Sequence, residues 1–179
     1  MDIGYGDCKS IGGACYVLLL VGRATCFSWV YALWSLNHKE IINVLLQFVV
    51  DVRATPHCAY MDFDPKLLEG KVLTWFCENS CKLHASPSGW QSQNGLVEWA
   101  WQTAMAMAQS YIMDMQMPHE YWYWAVCHAI QISNYFPSTV NGFATTSFEL
   151  AHGVKPDYCV LFHLFSTGFF HHVHDGVHA

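Results

Sequence analysis

The sequence predicts an α/β fold, a mixed sheet covered by helices, from the order of its elements and from its composition. Strand-forming runs come first as a meander and then alternate with helical patterns, which is typical of this layer arrangement. The 179 residues are 53% hydrophobic and only 12% charged, where about 25% charged residues are usual. The chain is therefore long enough and apolar enough to enclose a core of its own.

The first third of the chain is predicted to form three strands and a helix. Residues 17–21 and 27–33 are rich in β-branched and aromatic side chains, and the polar stretch 22–25 joins them as in an antiparallel hairpin. Residues 1–6 are a candidate strand before this hairpin. Asn37 precedes apolar residues at helical spacing over 41–49 and is expected to cap that helix.

The remaining elements follow from capping residues, prolines and hydrophobic periodicity. We expect strands at 60–63, 82–85 and 160–165. We expect helices to begin at Asp64-Pro65, Asn94, Pro118 and Thr146. The Asn94 helix should reach about Met115, and the Pro118 helix should end before Pro137. Residues 1–136 are taken as the core of the domain. Residues 137–179 are taken as an extension with a short helix, a strand and a His-rich tail.

Charge and cysteine usage limit the classes of function. Eight Lys and Arg face fourteen Asp and Glu, a formal net charge of −6, which by itself argues against a polyanionic partner. The eight cysteines are scattered and no secretory signal opens the chain, so we expect reduced intracellular thiols. The longest apolar run, residues 16–21, is too short to span a bilayer.

Three acidic residues fall at positions where a sheet and a helix could bring them together. Asp2 lies in the first candidate strand, Asp62 at the end of the 60–63 strand, and Glu98 in the first turn of the helix opened by Asn94. If the first strand pairs with the 60–63 strand, Asp2 and Asp62 lie side by side and Glu98 approaches from the helix. Converging carboxylates favour divalent cations; alternatively, a single acid near a helix start simply interacts with the helix dipole.

Five stretches resemble the integrase catalytic core of copia-type retrotransposons, within the retroviral integrase superfamily. They are Ser10-Ile-Gly-Gly13, Trp29-Val-Tyr31, Met61-Asp-Phe-Asp64, Gln93-Asn-Gly-Leu-Val-Glu98 and Lys155-Pro-Asp157. The 35 residues between Asp62 and Glu98 match the D,D(35)E pattern of that superfamily. The resemblance covers nearly the whole chain and implies a ribonuclease-H-like fold, with a mixed five-stranded sheet flanked by helices.

The resemblance also implies an activity. Asp2, Asp62 and Glu98 would be the catalytic, metal-binding triad, holding two Mg²⁺ or Mn²⁺ ions for polynucleotidyl transfer. The reactions would be 3′-end processing and strand transfer of retrotransposon DNA, with element ends and target DNA as partners. Gln93, Asn94 and Gly95 would contact DNA, although Asn94 can equally serve as a helix cap. A homodimer and a nuclear location follow from the same resemblance, and no membrane partner is expected.

Departures from the family pattern predict that activity is impaired. Trp99 stands where such integrases commonly carry arginine after the glutamate, and only Arg23 and Arg53 are arginine in the whole chain. C-to-T transitions in CGN codons produce Cys and Trp, so we hypothesise that arginine was lost in this way at Cys15, Cys26, Trp90, Trp99, Cys127 and Cys159. The copy is also expected to be truncated at its amino terminus, which would leave Asp2 near a fraying end.

Other interpretations stay open. A non-catalytic remnant or interaction scaffold could keep the fold and associate through apolar faces. Cys77, Cys81 and His84 have the residue types of a zinc site but lack a fourth partner at zinc-finger spacing. The histidines of the tail (His171, His172, His174 and His178) could capture a transition metal.

Overall fold

The structure is a computed structural model that describes residues 1–62, 67, 70–86, 95–137 and 144–161. It contains five strands: β1 (Asp2–Tyr5), β2 (Tyr16–Val21), β3 (Ser28–Leu33), β4 (Cys58–Asp62) and β5 (Lys82–Ser86). Its α-helices are α1 (His38–Val52), α2 (Gly70–Glu78), α3 (Gly95–Asp114), α4 (Trp122–Tyr135) and α5 (Ser147–His152). The α/β class predicted from the sequence is confirmed.

The strands form two sheets where one five-stranded sheet was expected. β1, β2 and β3 make an antiparallel sheet in that order, and β4 pairs with β5 in parallel. The backbone nitrogen of Met1 donates to the carbonyl oxygen of Tyr60 at 2.6 Å, so the edges of β1 and β4 face each other. One such bond does not make a ladder, because a ladder needs bonds at successive alternate residues.

Helices cover both faces of the antiparallel sheet. Leu18 and its same-face neighbours pack against α1 and α2, in a core that also contains Met61 of β4. Val17 and Leu19 point to the opposite face and pack against α3 and α4. This inside–outside alternation along β2 explains why the whole strand is apolar: it is buried on both faces.

Two tryptophans fix the helices of the second face to the first strand. A Cβ added to Gly4 would lie 2.2 Å from the ring atoms Cη2 and Cζ2 of Trp101. A Cβ added to Gly6 would lie 2.3 Å from Cζ2 of Trp122, whose Nε1 donates to the carbonyl oxygen of Cys8 at 2.9 Å. Glycine at these two positions therefore lets α3 and α4 approach the strand closely.

Several local predictions are confirmed at the level of single residues. Asn37 caps α1, with its side chain accepting from the backbone nitrogen of Glu40 at 2.8 Å. Thr146 caps α5 in the same way, accepting from Glu149 at 3.0 Å. The β2–β3 hairpin forms in antiparallel register with Leu20 opposite Trp29. These elements have local causes, namely a capping side chain or a turn between two β-rich runs.

Two boundaries differ from the prediction. The segment after Pro118 begins with a 3-10 turn, His119–Tyr121, and becomes α-helical at Trp122. Val160 was expected to start a strand but ends a 3-10 turn, Tyr158–Val160, where the Asp157 side chain accepts from the backbone nitrogen of Cys159 at 2.9 Å. An aspartate that bonds its own backbone two residues later favours a turn over a strand.

Other predictions lie beyond the described residues. They include the helix start at Asp64-Pro65, the Asn94 cap, residues 162–165 of the last strand and the His-rich tail. The division into a core and an extension after residue 136 stays a prediction. Within the described part, no helix combines the length and apolarity needed to cross a bilayer. All eight cysteines are free thiols.

Candidate active site at the start of β1

Asp2 lies at the beginning of β1, opposite Leu19 of β2. Its side chain is half-buried, and Oδ1 accepts a hydrogen bond from the backbone nitrogen of Ile3 at 2.8 Å. Because side chains alternate along a strand, Asp2 and Gly4 share one face of the sheet. That face is the one covered by α3, since their cross-strand partners Leu19 and Val17 both pack against that helix.

Glu98 lies in the first turn of α3 and is half-buried. Its neighbours Val97 and Ala100 belong to the buried cluster with Val17 and Leu19, which fixes the start of the helix against β2. One turn further on, Trp101 packs on the backbone of Gly4. The helix turn that carries Glu98 is thereby held close to the sheet.

The direction of α3 brings its first turn toward Asp2. Leu96 and Val97 line a cavity with Met1, whereas Met105 and Met113 line another with Tyr5. Helix and strand therefore run in the same direction. Moving back three residues from Trp101 along a helix covers about 4.5 Å, and moving back two residues from Gly4 along a strand covers about 6.8 Å. The geometry thus brings the Glu98 turn toward the Asp2 end of β1.

Asp62 is the last residue of β4 and pairs with Ser86 of β5. The hydrogen bond from Met1 to Tyr60 brings the backbone of β4 beside the beginning of β1, and Met61 is fully buried in the core on the side of α1 and α2. The Asp62 side chain is outside the described part of the structure, as are Gln93 and Asn94. The three-carboxylate site and the DNA contacts of this loop stay predictions.

Among the side chains that the structure describes, no group of three His, Cys, Asp or Glu residues is placed to hold a metal ion. The set searched does not include the Asp62 side chain. The residues of the alternative zinc site are spread out: Cys77 is exposed on α2, Cys81 is buried, and the His84 ring stacks on Tyr60.

Gly95 and Trp99 flank Glu98 on the surface. Gly95 is the first residue of α3, and a Cβ added there would meet nothing within 4 Å. The described glycines with a positive φ do not include it. Trp99 is 46% exposed and lines a cavity of about 260 Å³ with Phe136. An exposed aromatic ring thus stands beside the glutamate.

One feature near the site was not predicted from the sequence, a contact of Arg23 with the Tyr60 ring. The guanidinium carbon of Arg23 lies 4.3 Å from the centroid of that ring, which also stacks on His84 at 4.7 Å between centroids. Tyr60 and His84 are cross-strand neighbours in the parallel register, which explains their stacking. The Arg23 contact joins segments far apart in sequence, so local patterns carry no signal for it.

Comparison with known proteins gives structural similarity without close sequence similarity. No protein-family profile and no curated protein matches the chain. Among solved structures, the HTLV-2 integrase catalytic core domain in complex with magnesium (trimeric form) is similar with a TM-score of 0.61 and 17% identity, over 84% of this chain and 95% of that one. A chain of the simian T-cell lymphotropic virus intasome, solved in complex with the PP2A regulatory subunit B56 gamma, is similar with a TM-score of 0.67 and 13% identity, over 87% of this chain and 55% of that one.

These similarities establish the fold. The chain has the α/β fold of retroviral integrase catalytic cores, which is ribonuclease-H-like. It spans about half the length of the intasome chain and nearly all of the isolated catalytic core. The fold implied by the five sequence stretches, that of integrase catalytic cores, is confirmed.

Proposed function

We propose that the chain is a polynucleotidyl transferase core that uses Asp2, Asp62 and Glu98 as a D,D(35)E triad. The observation that carries the proposal is the packing of α3 on β1, which brings the Glu98 turn toward Asp2 in a chain with the fold of integrase cores. The parallel course of α3 and β1, and the contact between Met1 and Tyr60, support the same arrangement.

The residue types fit hard divalent cations. Carboxylate oxygens are the ligands that Mg²⁺ and Mn²⁺ prefer, and half-buried acids such as Asp2 and Glu98 gain from a neighbouring cation because their mutual repulsion is relieved. Two bound ions would lower the energy of the attacking and leaving oxygens in an in-line phosphoryl displacement. The three carboxylates would hold the ions, and the sheet and α3 would hold the carboxylates rigidly.

The substrates we propose are the ends of retrotransposon DNA and a target duplex. Water would be the nucleophile in 3′-end processing and the DNA 3′-hydroxyl in strand transfer. Gln93 and Asn94, which precede α3 in the sequence, and Gly95, its first residue, are proposed to contact the DNA near the triad. A copia-type origin, a nuclear location and a homodimeric assembly belong to the same proposal.

We propose that activity is weak in this copy. DNA affinity depends largely on neutralisation of phosphates by Lys and Arg, and the chain carries a net charge of −6. Trp99 presents an exposed ring beside Glu98 where a cation would contact phosphate. Each phosphate contact that is lost lowers the affinity further at physiological salt.

A strand-transfer assay tests the proposal directly. The full chain is incubated with a labelled retrotransposon-end duplex and plasmid DNA in Mg²⁺ or Mn²⁺, beside the Asp62→Asn variant. We expect a small amount of joined product that requires the metal and is absent from Asp62→Asn. Equal product from both proteins, or none from either, would contradict a catalytic triad.

The exposed apolar side chains favour a second candidate, a non-catalytic interaction scaffold. Trp34, Met113, Trp124 and Val50 are between 50% and 76% exposed on the described surface, and such side chains are typical of contact surfaces when they cluster. Size-exclusion chromatography with light scattering checks this candidate. A dimer that forms without metal, in a chain that yields no joined DNA, would favour the scaffold.

A further inference from the structure

The parallel pair β4–β5 buries one of its two faces in the core. Met61 is buried there with α1 and α2, and Ala59 and Leu83 pack against the same core. Because side chains alternate along a strand, the residues between these point to the opposite face. On that face Lys82 and His84 are exposed to solvent. We call the surface on this side the outer face; it consists of Cys58, Tyr60, Lys82 and His84.

The parallel register arranges the outer face in rows that lead to Asp62. The pairs that lie side by side across the two strands are Cys58 and Lys82, Tyr60 and His84, and Asp62 and Ser86. Each row advances by two residues, so successive rows are about 6.6 Å apart along the strands. Successive phosphates of an extended nucleic-acid strand are separated by a similar step. The rows therefore suit one extended strand that ends at the level of Asp62.

Two cations beside these rows are available to an anionic ligand. Arg23 follows β2 in the sequence, is exposed, and has its guanidinium carbon 4.3 Å from the centroid of the Tyr60 ring. The ring thus positions a planar group whose N–H donors match the geometry of a phosphate. Lys82 is the second cation. Within the described part of the chain, neither Arg23 nor Lys82 forms an ion pair with a carboxylate, so both charges can be neutralised by phosphates.

His84 adds an aromatic surface to the outer face. Its ring stacks on Tyr60 with the centroids 4.7 Å apart and the planes 13° from parallel. Among the described strands, β5 pairs only with β4, so no such strand lies on the side of His84 away from Tyr60. A nucleobase can extend the stack there, as bases do on the aromatic side chains that bind single strands. Inside a duplex each base is already stacked on its neighbours, so this contact favours an unpaired strand.

We propose that the outer face, together with Arg23, binds an unpaired DNA strand. Its phosphates contact Lys82 and Arg23, and one of its bases stacks on the His84 ring. The strand continues to the row of Asp62, where the proposed triad acts on it. The inference rests on the proposed function for the chemistry at that row, but the binding itself requires neither metal nor catalysis.

Salt dependence tests the phosphate contacts. The probe is a fluorescein-labelled strand of twelve thymidines, titrated by fluorescence anisotropy with the full 179-residue chain in EDTA. For a single strand, each phosphate contact contributes about 0.7 to the slope of log K against log salt, so Arg23→Gln and Lys82→Gln should each reduce the slope by that amount. Arg23→Lys should keep it. The matched control is Lys71→Gln, an exposed site on α2, which packs on the core side of β4; an equal reduction there, or none in Arg23→Gln and Lys82→Gln, would overturn the proposal.

Substitution of His84 tests the stacked base. His84→Leu should weaken binding of the thymidine strand roughly tenfold, because one base loses its aromatic partner. His84→Phe keeps an aromatic ring and should retain most of the affinity. Binding of a hairpin duplex should be the same in His84→Leu as in the unaltered chain. Equal weakening for strand and duplex, or equal affinities of His84→Leu and His84→Phe for the strand, would rule out the stacked base.

Photo-crosslinking locates the strand on the molecule. One thymidine is replaced by 5-iododeoxyuridine, and the crosslinked peptide is identified by mass spectrometry. We expect crosslinks at His84 or Tyr60, and crosslinks confined to other parts of the chain would contradict the proposal.

The strand-transfer assay separates this inference from the proposed function. Crosslinks at His84 in a chain that joins no DNA would leave the binding face and remove the triad. Metal-dependent product from a chain in which Arg23→Gln and Lys82→Gln bind the strand normally would leave the triad and remove the binding face.

Discussion

Trp101 occupies the space that a side chain at Gly4 would fill, so one glycine sets the distance between α3 and the strand that carries Asp2. Sequence periodicity predicts that β1 is a strand, but it does not show which residue of β1 the covering helix contacts. A glycine inside a strand indicates that another group approaches its backbone closely. At Gly4 that group is the ring of Trp101. The position of Glu98 relative to Asp2 depends on this contact.

Replacing Gly4 with alanine should destabilise the protein. The new Cβ would lie 2.2 Å from two ring atoms of Trp101, and overpacking of this kind typically costs about 1–3 kcal/mol. Urea denaturation followed by far-UV circular dichroism measures the loss. The matched control is Gly95→Ala, where a Cβ meets open space, and it should be neutral or slightly stabilising. Equal stability of Gly4→Ala and Gly95→Ala would contradict the close packing of α3 on β1.

Replacing Trp99 with arginine should strengthen DNA binding. The side chain is 46% exposed beside Glu98, and one new phosphate contact should steepen the slope of log K against log salt by about 1. Fluorescence anisotropy of a labelled duplex at several KCl concentrations gives that slope. Trp124→Arg is the control. Trp124 is 50% exposed on α4, so this substitution adds the same charge at a different place on the surface. An equal effect of the two variants would show that DNA does not pass the start of α3.

At the scale of elements, one buried polar side chain adds hydrogen bonds to the apolar packing of α4 on the hairpin. Asn134 accepts from the backbone nitrogen of Ser28 and donates to its carbonyl oxygen, each at 2.8 Å, and it is 5% exposed. Helical periodicity predicts the apolar face of α4 but offers no reason to single out this amide. The partner is 106 residues away, so the interaction is visible only in the fold.

Replacing Asn134 with leucine should leave two buried backbone groups of Ser28 without their partner. Unsatisfied buried groups cost about 1–3 kcal/mol each, so we expect a clear fall in the urea midpoint. Gln131→Leu, one turn earlier on the same helix and half-buried, should have a smaller effect. If both variants are equally stable, the bonds to Ser28 contribute nothing to the attachment of α4.

The packing of α4 also predicts how stability depends on pH. Burial raises the pKa of the Cys127 thiol from 9.0 to about 11, and burial together with this thiol raises the pKa of Tyr123. Between pH 9 and 11 the folded chain keeps the Cys127 proton while the unfolded chain releases it, so stability falls as the pH rises. Thermal unfolding at pH 8.5 and 10.5 should show a smaller fall in Cys127→Ala than in the exposed-site control Cys159→Ala. The same fall in both variants would place the loss of stability elsewhere.

At the scale of the whole molecule, the sequence predicts the elements better than their assembly. The caps at Asn37 and Thr146 and the β2–β3 hairpin have local causes and were predicted. The separation of the two sheets depends on the edges of β1 and β4, where Met1 donates a hydrogen bond to Tyr60, 59 residues away. Alternating patterns show which residues form strands, but they do not show whether two such strands complete a ladder.

For the candidate site, too, the sequence predicted the elements that carry the residues but not how those elements pack. The strand position of Asp2 and the helix position of Glu98 follow from local patterns, and the structure has both as expected. The approach of α3 to β1 required Gly4 and Trp101, which no spacing rule identifies. The resemblance to integrases supplied the third acid, Asp62, and its convergence with the other two stays a prediction.

The binding of divalent metal tests the central claim most directly, since it requires Asp2, Asp62 and Glu98 to meet in one place. A metal that binds only the folded state stabilises it by about 2.7 kcal/mol at a hundredfold excess over Kd. Melting curves with and without Mn²⁺ should therefore show a higher Tm for the unaltered chain. The increase should be absent from Asp2→Asn, Asp62→Asn and Glu98→Gln, and it should be kept in Glu78→Gln, a change at an exposed acid on α2. An increase that survives any one of the three substitutions, or no increase in the unaltered chain, would contradict the shared carboxylate site.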